Sequence, residues 1–197
     1  MSPPGPQDPA DLQVPAQGTA LVLVDVQTKL SAVMPPDAMA ACERNILILL
    51  ELGRRLGWPV IWSEQYPKGL GPTIPSLLDA MTKPDLQLVR IEKLSFSCTD
   101  DPAFRAAHTA LARKSYVVVG MEAHVCVWQT ARGLRGLGNH VFVPQDAVVS
   151  RDPSNHRVGL DLARQAGATV TSTEVVVFDA LGRAGTEDFR ALSRMLK

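Results

Sequence analysis

The chain has 197 residues, enough for one domain with a substantial core and too few for two comfortable ones. Lys+Arg 20 balances Asp+Glu 20 for a formal net charge of +0, so the basic excess that usually meets nucleic acid or an anionic membrane is missing. Three cysteines, Cys42, Cys98 and Cys126, form no CxxC pair, which fits a reducing cytosol better than a disulfide framework.

The Pro-rich start, "MSPPGPQDPADLQVPAQG", lacks the apolar stretch of a secretory signal. It is expected to be a mobile or surface-draped arm over residues 1–18, ahead of one domain over residues 19–197. No run is apolar and long enough to cross a bilayer. "ALVLVDV" (Ala20 to Val26) is nearly continuous in apolar residues around Asp25, as in a parallel strand buried on both faces. Pro36 to Leu56 reads as a helix, with Ile46, Leu49, Leu50, Gly53 and Leu56 three and four apart and Gly57 as its stop. "WPVIWSE" is the second strand, followed by the long Pro- and Gly-punctuated loop "QYPKGLGPTIPS".

"LQLVRIEK" is the third strand and ends near Lys93. "DDPAFRAAHTALARK" has an acidic start, Pro102 in its first turn and a basic end, all suited to the helix dipole. "SYVVVGM" is the fourth strand, Val125 to Leu137 a helix, "HVFVPQD" the fifth strand, Pro153 to Gln165 a helix and "ATVTST" the sixth strand. A last helix covers about Glu187 to Met195. Alternation of this kind predicts an α/β fold: a three-layer α/β/α doubly wound, Rossmann-like sheet of about six parallel strands.

In such sheets ligands bind beyond the carboxyl ends of the strands, where strand order reverses. That edge collects Asp25 from the first strand, Lys93 from the third and Cys126 from the loop after the fourth. Cys126 at a helix start, with Lys93 close by, is expected to be a low-pKa thiolate. Asp25 has the chemistry to take the thiol proton and return it to a leaving group. The amides of Glu122 and Cys126 are candidates for an oxyanion hole. Each residue also has a plain reading: buried thiol, turn carboxylate, solvated lysine. Their coincidence at one edge carries the argument. Cys98 in "KLSFSCTD" is the rival thiol, and Cys42 reads as packing.

The sequence resembles the isochorismatase-like cysteine hydrolases, the superfamily that also holds nicotinamidases, from about Thr19 to Leu181. "LVLVDVQ", "EKLSFS", "VVVGMEAHVCVWQTA" and "ATVTSTEVVVFDAL" carry the likeness. It implies a Cys126–Asp25–Lys93 triad, a cis Met121–Glu122 peptide and a thioester intermediate. The "SEQYPKGLGPTIP" segment lacks the Asp and His set that binds metal in nicotinamidases, so no metal or other cofactor is expected and nicotinamide is a poor guess. Isochorismatases proper lack the cysteine, so Cys126 argues against their vinyl-ether chemistry. "EQYPKGLGPT" with "GMEAHVC" looks closest to the isochorismatase domain-containing proteins, and Ala123 stands where a Thr is common elsewhere.

Gln27, Tyr66 and Phe96 are the candidate substrate contacts. His124, His108 and His156 read as surface positions, His124 also as a subunit contact; Trp62 reads as packing and Trp128 as core or subunit interface. "KGLGPT" lacks P-loop spacing. The expectation is a cytoplasmic, homo-oligomeric cysteine hydrolase of small amides or related carbonyl compounds, with no nucleic-acid or membrane partner. Its rival is a catalytically inactive binding protein on the same fold. A nucleotide-binding domain is disfavoured, because no G-x-G-x-x-G follows the first strand.

Overall fold

Side chains along a strand alternate between faces, and here both faces are apolar. In β1 (Thr19–Val24), Leu21 and Leu23 enter one core while Ala20, Val22 and Val24 enter another, all fully buried. A computed structural model describes residues 9–197. It joins β1 to β2 (Val60–Gln65), β3 (Leu88–Lys93), β4 (Ser115–Met121), β5 (His140–Pro144) and β7 (Thr169–Thr171) in one parallel sheet. The order is β3-β2-β1-β4-β5-β7, and a two-residue strand, β6 (Val148–Val149), pairs with the end of β4. The sequence reading missed β6, whose two residues are too short to show alternation.

The chain first builds outward from β1 to β3, then returns to β4 on the other side of β1. The reversal therefore falls between β1 and β4. Helices close both faces. On the Leu21 side lie α2 (Pro36–Leu56), α4 (Pro75–Met81), α8 (Thr173–Leu181) and α9 (Glu187–Met195); on the Val22 side lie α5 (Pro102–Leu111), α6 (Trp128–Gly136) and α7 (Pro153–Gln165). This is the three-layer α/β/α arrangement.

Local chemistry sets the helix ends. Pro36 opens α2, and Gly57 closes it in the left-handed region at φ 69. Asp101, Asp152, Ser172 and Thr186 cap α5, α7, α8 and α9 through their side chains. The segment read as a loop after β2 differs from expectation. It contains α3 (Pro67–Leu70) as well as α4, because Pro67 and Pro75 stand at helix starts, where a missing N–H costs nothing. A further short turn, α1 (Thr28–Ser31), follows β1.

Part of the N-terminal arm is docked. Val14 is buried, its amide donates to Asp179 Oδ2 at 2.6 Å, and Trp58 Nε1 donates to the Ala16 carbonyl at 2.8 Å. Residues 1–8 of that arm lie outside the described residues. His108 is also less exposed than the sequence reading expected. It stacks on buried Tyr116 with ring centroids 5.5 Å apart, and its Nε2 lies 3.0 Å from Asn139 Nδ2.

Candidate active site

Three strands deliver the polar groups. Asp25 follows β1 with φ 51, in the left-handed region that aspartate tolerates better than most residues. Its amide donates to the Ser63 carbonyl on the neighbouring strand at 3.1 Å. Lys93 ends β3, opposite Gln65 on β2. Two strand spacings, about 10 Å, separate β3 from β1, and a long side chain is needed to cross β2. Lys93 does cross it: Nζ donates to Asp25 Oδ2 at 2.7 Å and to Gln65 Oε1 at 2.9 Å. The carbonyls of Ser95 and Phe96 lie 3.2 and 3.1 Å from the same nitrogen.

Both side chains of this ion pair are fully buried. A buried pair is tolerable when its remaining donors and acceptors are satisfied, and that condition is met here. Asp25 Oδ1 accepts from Ser63 Oγ at 2.7 Å. Burial pulls the Lys93 ammonium down, but Asp25, Cys98 and Cys126 outweigh it and leave its pKa raised.

The fourth strand delivers the thiol. β4 ends at a cis Met121–Glu122 peptide, followed by a π-helical turn, Ala123–Val127, and then α6. The Glu122 carbonyl accepts from Val125 N at 3.0 Å and Val127 N at 3.2 Å, which widens the turn around Cys126. Cys126 therefore sits inside a π turn, not at the α-helix start that the sequence pattern suggested. It is 6% exposed, and its thiol hydrogen-bonds Asp25.

The low-pKa expectation for Cys126 is corrected. Burial and then the adjacent Asp25 carboxylate push the thiol up, and Lys93 only partly opposes them.

Glycines permit this assembly. Gly120 has φ 112, and a Cβ there would collide with the Val24 backbone beside Asp25. A Cβ on Gly159 of α7 would lie 2.5 Å from the Ala123 carbonyl carbon and 2.6 Å from His124 N, inside the thiol-bearing turn. Glu122 anchors the same turn from its other end: its buried carboxylate accepts from Arg151 N at 2.9 Å and Arg151 Nε at 3.1 Å. His124 is half-buried, with Nδ1 3.0 Å from Ser150 Oγ.

The family model for the isochorismatase domain matches residues 19–175. The chain belongs to the isochorismatase family. Isochorismatase domain-containing protein 2 of Xenopus laevis is 32% identical over 182 residues, 91% of this chain and 84% of that one. The solved structure of MAR1 ribonuclease from Caenorhabditis elegans superimposes with a TM-score of 0.81 at 30% identity, over 93% of this chain and 92% of that one. The nicotinamidase of Bacillus subtilis shares the fold, with a TM-score of 0.67 at 18% identity, over 79% of this chain and all of that one.

Within this isochorismatase-like hydrolase fold, Asp25, Lys93 and Cys126 come together as the sequence pattern suggested, and the other expected contacts divide. Gln27 is fully buried; its Nε2 donates to the carbonyls of Gln65 at 3.0 Å and Gly71 at 2.6 Å, and its Oε1 accepts from Gln65 N at 2.7 Å. With its amide engaged on backbone, Gln27 clamps the strand ends together. Tyr66 lines a cleft of about 310 Å³ with Pro67, Lys68, Glu92, Lys93 and Leu94. Phe96 contributes its carbonyl to Lys93, and the residue is 56% exposed beside the site.

Trp128 is half-buried, with Arg132 stacked 4.5 Å above its ring. Among the described residues, no group of three His, Cys, Asp or Glu is placed to hold a metal ion. None of their helices is long and apolar enough to cross a membrane. Sequence reasoning missed Ser63 and Gln65. The signal available was their place at the carboxyl end of β2, between the strands that carry Asp25 and Lys93.

Proposed function

We propose that the protein is a cysteine hydrolase of small amides or related carbonyl compounds. One observation carries this reading: a fully buried Asp25–Lys93 ion pair meets the Cys126 thiol at the point where strand order reverses. Cys126 Sγ attacks the carbonyl carbon as Asp25 takes the thiol proton, forming a C–S bond. The oxyanion is held by the amides of Glu122 and Cys126. Collapse breaks the C–N bond, and Asp25 returns its proton to the leaving nitrogen. Water, deprotonated by Asp25, then attacks the thioester, releases the acid and restores the thiol. Lys93 keeps Asp25 in place and offsets the negative charge that moves between sulfur, carboxylate and oxyanion.

The Caenorhabditis elegans relative bears the name ribonuclease. Balanced charge here supports a small neutral substrate over a polyanion. Exposed Tyr66, Leu94 and Phe96 beside the cleft support a homo-oligomer, and three free thiols support a reducing, cytoplasmic setting.

Ammonia release from a panel of small primary amides, with intact-mass detection of an acyl adduct on Cys126, tests the reaction. The expected result is turnover of at least one amide, lost by about 10³-fold or more in Cys126→Ala. Turnover that survives in Cys126→Ala would contradict it. A protein that neither turns over nor forms an adduct would favour the inactive binding protein.

A further inference from the structure

Cys98 is a buried nucleophilic group for which the reaction has no use. It is 0% exposed, so it cannot meet a substrate, yet it lies next to the site. Its Sγ lies 3.5 Å from Ser63 Oγ, and Ser63 Oγ lies 2.7 Å from Asp25 Oδ1. A hydroxyl has one proton to donate. With the Cys98 thiol donating into the Ser63 oxygen from behind, that proton is directed at Asp25. The backbone holds the arrangement in place: Cys98 N donates to Thr130 Oγ1 at 3.0 Å, one helical turn beyond Cys126. Val24 of β1 pairs with Ser63 in the sheet.

We propose that Ser63 is a positioning residue, backed by Cys98, which fixes the Asp25 carboxylate between two donors and so sets how strongly it holds the Cys126 proton. Lys93 is the second donor, on Oδ2. This rests on the hydrolase reading and adds a residue to its machinery. The charged and titratable groups facing Asp25 are Lys93 from β3, Cys98 from the turn after it and Cys126 from the π turn. A carboxylate that loses one donor becomes a stronger acceptor for those that remain. Removing the Ser63 hydroxyl therefore tightens Asp25 on the Cys126 thiol and makes that thiol harder to ionise.

The test is the pH profile of Cys126 alkylation by iodoacetamide on the full chain, mapped by mass, with a melting curve for every variant. Ser63→Ala and Ser63→Val are expected to slow alkylation at pH 7.5 by about threefold or more, by moving the profile to higher pH. Ser63→Thr, matched in shape to Ser63→Val but carrying the hydroxyl, is expected to restore the wild-type profile. Cys98→Ser keeps a donor behind Ser63 and is expected to stay close to wild type. A role in packing alone would not separate Thr from Val in this way.

If the Thr and Val variants share one profile, the inference is overturned. Asp25→Asn separates that failure from a deeper one. If Asp25→Asn moves the Cys126 profile and the Ser63 variants do not, only the positioning role falls. If Asp25→Asn leaves the profile unmoved, the coupling of carboxylate to thiol falls, and the role of Ser63 with it.

Discussion

Lys93 and Gln27 are both polar residues buried at strand ends, and each failure would expose a different physical role. Lys93 compensates a charge. Lys93→Met leaves Asp25 buried without its partner, and a cost of about 3–5 kcal/mol in unfolding free energy is expected, read by urea denaturation. Gln27 compensates no charge and instead satisfies three backbone groups. Gln27→Ala is expected to cost about 1–3 kcal/mol. Its effect on turnover should come through the loop of residues 66–73, which Gln27 ties to β1. At this scale the sequence was informative wherever chemistry and strand position coincided, as for Asp25, Lys93 and Cys126. It was uninformative about Ser63, which reads as an ordinary polar strand residue until the β1–β2 register puts it against Asp25. The ionisation of Cys126 was also out of reach, because its direction depends on burial and on which charge lies nearer.

At the scale of elements, the site is an assembly of close approaches. α7 presses on the thiol-bearing turn only because residue 159 has no side chain. Gly159→Ala is expected to push the turn away and cut amide turnover by about 10²-fold, the effect of a displacement near 1 Å in a catalytic group. Gly136→Ala is the control: a Cβ there meets nothing within 4 Å, and the end of α6 should tolerate it with unchanged turnover. Equal losses in both variants would contradict the close-approach account. Helix α2 was readable from its apolar spacing and its Gly57 stop, and α5 from its acidic start, Pro102 and basic end. The π turn was not, because its extra residue within one turn leaves no periodic mark in five residues. The short helices α3 and α4 were masked by prolines that usually signal loops.

For the whole molecule, buried titratable groups set the pH range of stability. Burial raises the thiols of Cys42, Cys98 and Cys126, and the Tyr116 phenol is pushed up to about 12. Lys93 is raised as well. Above the ordinary thiol value of 9.0 the unfolded chain therefore holds fewer protons than the folded one, so stability falls as pH rises. On the acid side, Arg54 and Arg55 hold Glu51 low despite its partial burial. Arg90 and Thr73 outweigh burial at Glu64. The stability these two carboxylates contribute is lost as pH falls through their lowered values, below the ordinary 4.5. Urea midpoints measured from about pH 2 to pH 11 should thus decline at both ends, and a midpoint that keeps rising above pH 9 would contradict the burial of the thiols.

The most direct test of a Cys126 nucleophile governed by Asp25 and Lys93 is its alkylation profile against pH in wild type, Asp25→Asn and Lys93→Met, beside amide turnover of the same samples. Asp25 raises the thiol and Lys93 lowers it. Asp25→Asn should therefore alkylate at lower pH than wild type, yet lose turnover, because the proton carrier is gone. Lys93→Met should alkylate only at higher pH. Profiles that coincide in all three proteins, or faster labelling of Cys98 than of Cys126, would contradict the triad.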